Sequence, residues 1–257
     1  MKARRWMVVT LAMAPLAGAQ EPPPPPVWSG EAGLSYVQTA GNSDASTFGA
    51  VFKLLRQKDP WKVAFATAFV RTETSDVKSA EKFDALLRGE RALGPRFALY
   101  SQGSYLRDVF AGIDGQEILE AGGLYKLAAG PKHFLAVSAS LAYTAEQRSE
   151  PSPDRNFLGG RAGLAYKFQI SPSAEFAEDV SYLQSFEESS DGRVAHRATL
   201  TANMNKVFAL KLGHELLYLR DPVPGKKSTD NTILASIVAK WPAPPPPAPP
   251  CPCPPRE

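Results

Sequence analysis

The sequence predicts an all-β chain, a transmembrane up-and-down antiparallel β-barrel of about 12 strands. Three observations carry this expectation. Apolar and polar side chains alternate with a period of two through most of the chain, where a helix would repeat every 3.6 residues. Outside the two ends, each proline falls in a polar break between apolar segments, leaving the stretches between free to pair. The connections are in turn long and polar, then short, which a membrane barrel with surface loops on one side and tight turns on the other requires.

In chain order the segments run approximately Trp28 to Ala40, Ser46 to Gln57, Trp61 to Thr72, Glu81 to Leu93, Arg96 to Val109 and Gln116 to Ala128. The second half reads His133 to Gln147, Asn156 to Ile170, Ser173 to Phe186, Val194 to Asn205, Val207 to Arg220 and Asp230 to Trp241. The third and fifth alternate poorly. The seventh sets Leu135, Val137, Ala139, Leu141 and Tyr143 on one face, against Ala136, Ser138, Ser140, Ala142 and Thr144 on the other. In the eighth, Leu158, Leu164, Tyr166, Phe168 and Ile170 oppose a face carrying Arg161 and Lys167. The eleventh places Phe208, Leu210, Leu212, Leu216 and Tyr218 together, with His214 as the polar exception. The twelfth has Ile233, Ala235, Ile237, Ala239 and Trp241 on one side. Between segments the odd connections read GNSDA, ETSDVKSA, FAGIDG, RSEPSPDR, EESSDGR and DPVPGKKST. The even ones are KDP, GP, AGPK, SP and the step at Lys206.

The flanks are of another kind. Lys2, Arg4 and Arg5, the apolar Trp6 to Leu16 and the small-x-small Ala17-Gly18-Ala19 read as a signal peptide over residues 1–19, with the mature chain starting at Gln20. Residues 20–27 and 242–257 are proline-rich, extended and unable to pack a core, and residues 28–241 form the barrel. Of 29 Lys and Arg, three lie in the leader, leaving 26 against 26 Asp and Glu. That balance shows no nucleic-acid footprint. Cys251 and Cys253, one residue apart in the proline tract, have the spacing of neither a disulfide framework nor a zinc knuckle. No cofactor or metal is expected: Asp44, Asp76, Asp114 and Asp191 stand nearly alone and read as turn formers.

Each segment of about 11 to 15 residues is long enough for a tilted strand to cross a bilayer. Trp28, Tyr36, Trp61, Tyr143, Tyr166, Phe168, Tyr218 and Trp241 lie near the ends of the apolar faces, where interfacial girdles belong. The polar faces then point inward. They carry Glu31, Lys53, Lys62, Asp84, Arg88, Glu90, Glu120, Lys126, Arg161, Lys167, Glu175, Asp179, Arg197, Lys211 and Glu215, acids and bases near balance, which makes either a mesh of ion pairs or a weakly selective channel. A soluble periplasmic ligand-binding barrel shows the same alternation with its apolar face inside. Its case is weakened by the exported leader and by small residues on both faces, which would pack a poor core. A lipid or ester hydrolase would need His214, the one histidine well inside a strand, beside a serine that the sequence does not identify; no GxSxG occurs, and no enzyme is expected.

The opening WSGEAGLSYVQTAGNSDAST (Trp28 to Thr47), with its TAGNSD turn, and YLRDVFAGID (Tyr105 to Asp114) resemble the salt-induced outer-membrane protein family, domain of unknown function 481. The resemblance covers nearly all of Trp28 to Trp241. It implies an outer-membrane β-barrel linked to salt or osmotic response, and no established reaction or substrate; the twelve-stranded barrel reading itself expects both termini in the periplasm, with membrane lipid and the barrel-assembly machinery as partners. The chain departs from such barrels in its ending: a proline-rich tail follows Trp241 where a terminal aromatic strand usually finishes. The expected role is a passive pore or a structural envelope protein.

Overall fold

A computed structural model describes residues 27–39, 45–75, 77–149 and 152–241. The leader, the N-terminal proline tract, the C-terminal tail with its two cysteines, Asp44 and Asp76 lie outside the described residues. Twelve strands follow one another: β1 (Trp28–Thr39), β2 (Ala45–Lys58), β3 (Trp61–Thr74), β4 (Val77–Ala92), β5 (Phe97–Asp108) and β6 (Ile113–Ala129). They continue with β7 (His133–Arg148), β8 (Arg155–Ser171), β9 (Ala174–Ser185), β10 (Gly192–Asn203), β11 (Phe208–Leu219) and β12 (Thr229–Trp241). Each pairs antiparallel with its sequence neighbours, and β1 with β12 closes the barrel.

Because every strand pairs with two neighbours around the ring, the side chains decide what each surface faces. Phe157 is 4% exposed and the next residue, Leu158, 55%. Following the register from this pair puts the large apolar side chains outside: Leu34, Leu87, Leu119, Leu141, Leu212 and Ile237 all stand exposed on the outer surface. Trp28, Trp61, Phe97, Phe208 and Trp241 mark one end of this outer band, called the base here. Tyr36, Phe48, Tyr143, Tyr182 and Tyr218 mark the opposite end, the rim. On β11 the ten-residue step from Phe208 to Tyr218 spans roughly 25 Å of height at about 3.3 Å per residue and a tilt near 40°. That is the thickness of apolar wall a bilayer needs.

Two connections differ from expectation. Pairing of β3 with β4 continues through Thr74↔Val77 across a register shift at Thr72/Glu73, so the polar stretch read as an eight-residue loop is mostly strand. At the next hairpin on the same end, β6 begins at Ile113, inside the stretch read as FAGIDG. The reason is physical: side-chain alternation reports where the apolar wall stops, whereas backbone pairing runs on wherever water solvates the polar side chains of Glu73, Lys78 and Ser79. The rim connections after β7, β9 and β11 remain the longest, running over 149–154, 186–191 and 220–228.

Inside, the rim half is packed. Ile118, Ala142, Phe157 and Leu183 from β6 to β9 form one buried cluster. Ala111, Ile113 and Leu219, with Leu106 and Leu217 against them, form a second that joins the β5–β6 turn to β11 on the far wall. Gly112 makes that turn possible: its φ of +79° is open to glycine, and a Cβ there would meet Val223 of the β11–β12 connection at 3.1 Å.

Candidate functional site

The register places the sequence-derived charges on one continuous inner surface. Glu31 faces Lys53 across β1 and β2; Arg197 lies between Asp179 and Glu215; Glu175 pairs with Gln169 and Thr201; Lys211 pairs with Thr201 and Ser236. Asp84, Arg88, Glu120 and Arg161 hold inward positions on β4, β6 and β8. Lys126 and Lys167 lie toward the base, where Lys126 Nζ donates to the Pro95 carbonyl at 3.5 Å.

These residues fall into groups. At mid-height Glu31 takes Lys53 at 3.4 Å and also Lys211. Glu215 receives Arg197 Nε at 2.7 Å and Lys82 Nζ at 3.3 Å. Because β4 and β11 stand five strands apart around the ring, Lys82 and Glu215 form a bar across the lumen. Arg88 stacks 3.7 Å over the Tyr100 ring and donates to Glu90 at 2.7 Å and to Gln102 at 3.2 Å, while Lys62 reaches the same Glu90 at 3.4 Å. Arg161 Nε approaches Glu120 Oε2 to 2.9 Å as an ion pair, without the alignment of a hydrogen bond.

The most buried group was not among the expected site residues. At the rim Glu146 accepts from Gln116, Arg148 and Arg193; Arg193 also forks onto both oxygens of Asp191 at 3.0 Å. The side chains of Glu146, Arg148, Asp191 and Arg193 are 2–7% exposed. Arg155 adds contacts to Asp191 at 3.6 Å and to Asp221. Sequence reading assigned Arg148, Arg155, Asp191 and Arg193 to polar loops. The signal was available for two of the group: Glu146 and Arg148 continue the parity of Ala142 and Thr144. Lys82 also lies on β4 at the parity of Asp84 and Arg88, inside the segment read as Glu81 to Leu93, so its inward facing was legible although it was not among the expected charges.

The histidines lie elsewhere. His214 points outward, its Nε2 3.3 Å from Asn231 Oδ1 and its ring centroid 5.7 Å from that of His196, which in turn meets Glu178 at 3.1 Å. The cross-strand partners of His214 are Ala198 and Ile233, so the register sets no hydroxyl beside its ring, as a serine hydrolase requires. His133 stacks on Phe168 at 4.9 Å in the base girdle and bonds the Tyr166 hydroxyl at 2.9 Å. Among the described residues no three His, Cys, Asp or Glu converge as metal ligands.

The chain is 22% identical over 195 residues to the uncharacterized protein YdiY of Escherichia coli K12, covering 76% of this chain and 75% of that one. Among solved structures it is similar to an outer membrane channel from Pseudomonas putida F1, with 10% identity and a TM-score of 0.49 over 89% of this chain and 99% of that one. It is also similar to the NanC porin, with 7% identity and a TM-score of 0.48 over 82% of this chain and 96% of that one. Matching the family of proteins of unknown function DUF481 over residues 32–241, most of its length and all but the edges of the barrel, the chain belongs to that family.

Proposed function

We propose that the mature chain, beginning at Gln20, is an outer-membrane barrel that serves the envelope as a braced structural element, its axis obstructed against general diffusion. The observation that carries this reading is the filling of the rim half of the lumen. Ile113 is 1% exposed and joins the β5–β6 turn to Leu219 on β11, and directly beside it Glu146 holds two arginines away from solvent. A water-filled conduit would leave such inward side chains wet, as diffusion pores do. The outer-membrane setting is supported by the closed ring and the apolar outer band between aromatic girdles.

The test combines location and conductance. The chain in the outer-membrane fraction is expected to migrate faster unheated than boiled in SDS, and the wild type in planar bilayers is expected to show no steady open-channel current. A steady ohmic current from the wild type would make it a passive pore. A chain soluble in the periplasm with one mobility would make it a soluble barrel.

A further inference from the structure

The two ends of the barrel carry their charge differently. At the rim four arginines are met by acids: Arg71 by Glu73, Arg148 by Glu146, Arg155 by Asp221 and Arg193 by Asp191. At the base, the outward faces and turns of the described residues carry Arg56, Lys58, Arg91, Arg96, Lys132 and Lys206 against one acid, Asp59. Among the described residues none of these six cations has a carboxylate within ion-pair distance.

Three of the six are set against the aromatic girdle in a repeated arrangement. Arg56 stands directly across the ladder from Trp28, its guanidinium carbon 5.8 Å from the ring centroid. Arg91 stands across from Trp61 at 5.5 Å, and Lys58 pairs with Trp61 from the other side, so that ring lies between two cations. Lys132 Nζ is 5.7 Å from the centroid of Phe168, whose cross-strand partner is the next residue, His133. The ring face holds the charge in place and leaves its N–H donors unspent. Because girdle rings lie at the depth of lipid headgroups, cations held against them lie there too. Beside Arg96 and Lys206 the turns also present Leu93, Met204 and Val207, 54%, 66% and 46% exposed, apolar side chains that an interfacial layer covers and bulk water does not. The cations are spread over four of the five base turns or the strand ends beside them, those of β2–β3, β4–β5, β6–β7 and β10–β11. A charge set distributed around a barrel suits a surrounding leaflet, whereas a single acidic protein would meet one side.

We propose that the base of the barrel is a collar for anionic phospholipid. Phosphodiester oxygens of the surrounding leaflet are taken by Arg56, Lys58, Arg91 and Arg96 in the β2–β5 sector, and by Lys132 and Lys206 farther round the ring. This rests on the membrane setting proposed above. The planar fork of arginine matches two phosphate oxygens at once, and a net negative headgroup supplies the counter-charge that the protein withholds at this end.

The chain provides its own reporters. Outside residues 1–19 it has three tryptophans, Trp28, Trp61 and Trp241, and all three stand exposed in the base girdle, the last at the closing β1–β12 seam. The test places the chain from Gln20 onward in phosphatidylcholine vesicles containing a small fraction of phosphatidylglycerol with brominated acyl chains, or the same fraction of brominated phosphatidylcholine, and measures tryptophan quenching. Phosphatidylglycerol is expected to quench as though enriched about fivefold at the base, the factor that one basic side chain is worth at an anionic surface. The preference should weaken in high salt and fall away in Arg56→Gln/Lys58→Gln/Arg91→Gln/Arg96→Gln. It should persist in Lys226→Gln/Lys227→Gln, which removes cations from the rim. The faster unheated band must be present in each variant, which separates lost binding from lost folding. Equal quenching by the two lipids in the wild type would overturn the proposal, leave the membrane barrel standing and assign the cations to an acidic partner outside the bilayer. A preference that survives the fourfold change at the base, or that is lost with the rim lysines, would overturn it as well. Absence of the faster band in the wild type would instead remove the membrane reading itself.

Discussion

Glu146 is the residue on which the rim depends. It is the common acceptor of Arg148, Arg193 and Gln116 in a region solvent does not reach. Removing one member of a buried charge network leaves the others uncompensated, at a cost of about 3–5 kcal/mol. Glu146→Ala should therefore lower the urea midpoint of the vesicle-embedded barrel sharply, whereas Lys78→Ala, which removes an exposed pairing with Glu81, should leave the midpoint nearly unchanged. Gly122 carries a steric demand of a different kind. A Cβ there would sit 2.1 Å from the Ala139 carbonyl oxygen on the paired strand, which only a backbone shift could relieve. Gly122→Ala is expected to abolish the heat-modifiable band; Gly89→Ala, whose Cβ would find nothing nearer than Ser101 Oγ at 3.9 Å, should retain it. Neither role was visible in composition. Glu146 could be placed inward by parity alone, but that three donors converge on it needs β6, β7 and β10 to be brought together.

At the level of the strand, β7 shows what periodicity transmits. Its outward row of Leu135, Val137, Leu141 and Tyr143 and its inward row of Ala136, Ser138, Ser140 and Ala142 follow directly from alternation, because a strand turns successive side chains to opposite faces. Val137→Arg, near the middle of that row, should cost about 2–4 kcal/mol if the face meets lipid, and close to nothing if it meets water. Measuring the folding free energy of the variant in vesicles thus tests the environment strand by strand. The β3–β4 hairpin shows what periodicity loses: Glu73↔Lys78 and Thr74↔Val77 are paired, yet their side chains carry no apolar signal. Lys82 has the parity of Asp84 and Arg88 and so an inward facing that alternation could show; its bond to Glu215 across the lumen is what alternation cannot show.

For the whole molecule the governing contrast is between axis and side. Along the axis the lumen is crossed by Lys82–Glu215 and filled toward the rim on the β5–β11 side; at the side, the seam is laddered over its base half only. In a double variant that removes the packing, Ile113→Gly with Leu219→Gly, planar bilayers should record currents that the wild type lacks. Orientation has its own readout. Lys226 and Lys227 are exposed in the 220–228 connection at the rim. Trypsin added to intact cells is expected to cut there and to leave an epitope placed after Glu257 untouched; loss of the epitope with the 220–228 connection intact would reverse the orientation.

Strand count and antiparallel order were legible in the sequence, because both follow from local rules: alternation, proline exclusion and the spacing of turns; facing was legible only where alternation is clean, which left the third and fifth segments open. Folding in three dimensions settled which inward charges meet, since Lys82 and Glu215 are 133 residues apart and become partners through ring closure alone. It also decided that His214 lies beside His196 and Asn231 on the outer wall, and that β1 and β12 are laddered along only part of their lengths. A closing seam joins the first strand to the last, and no local pattern in either strand encodes how far that pairing runs.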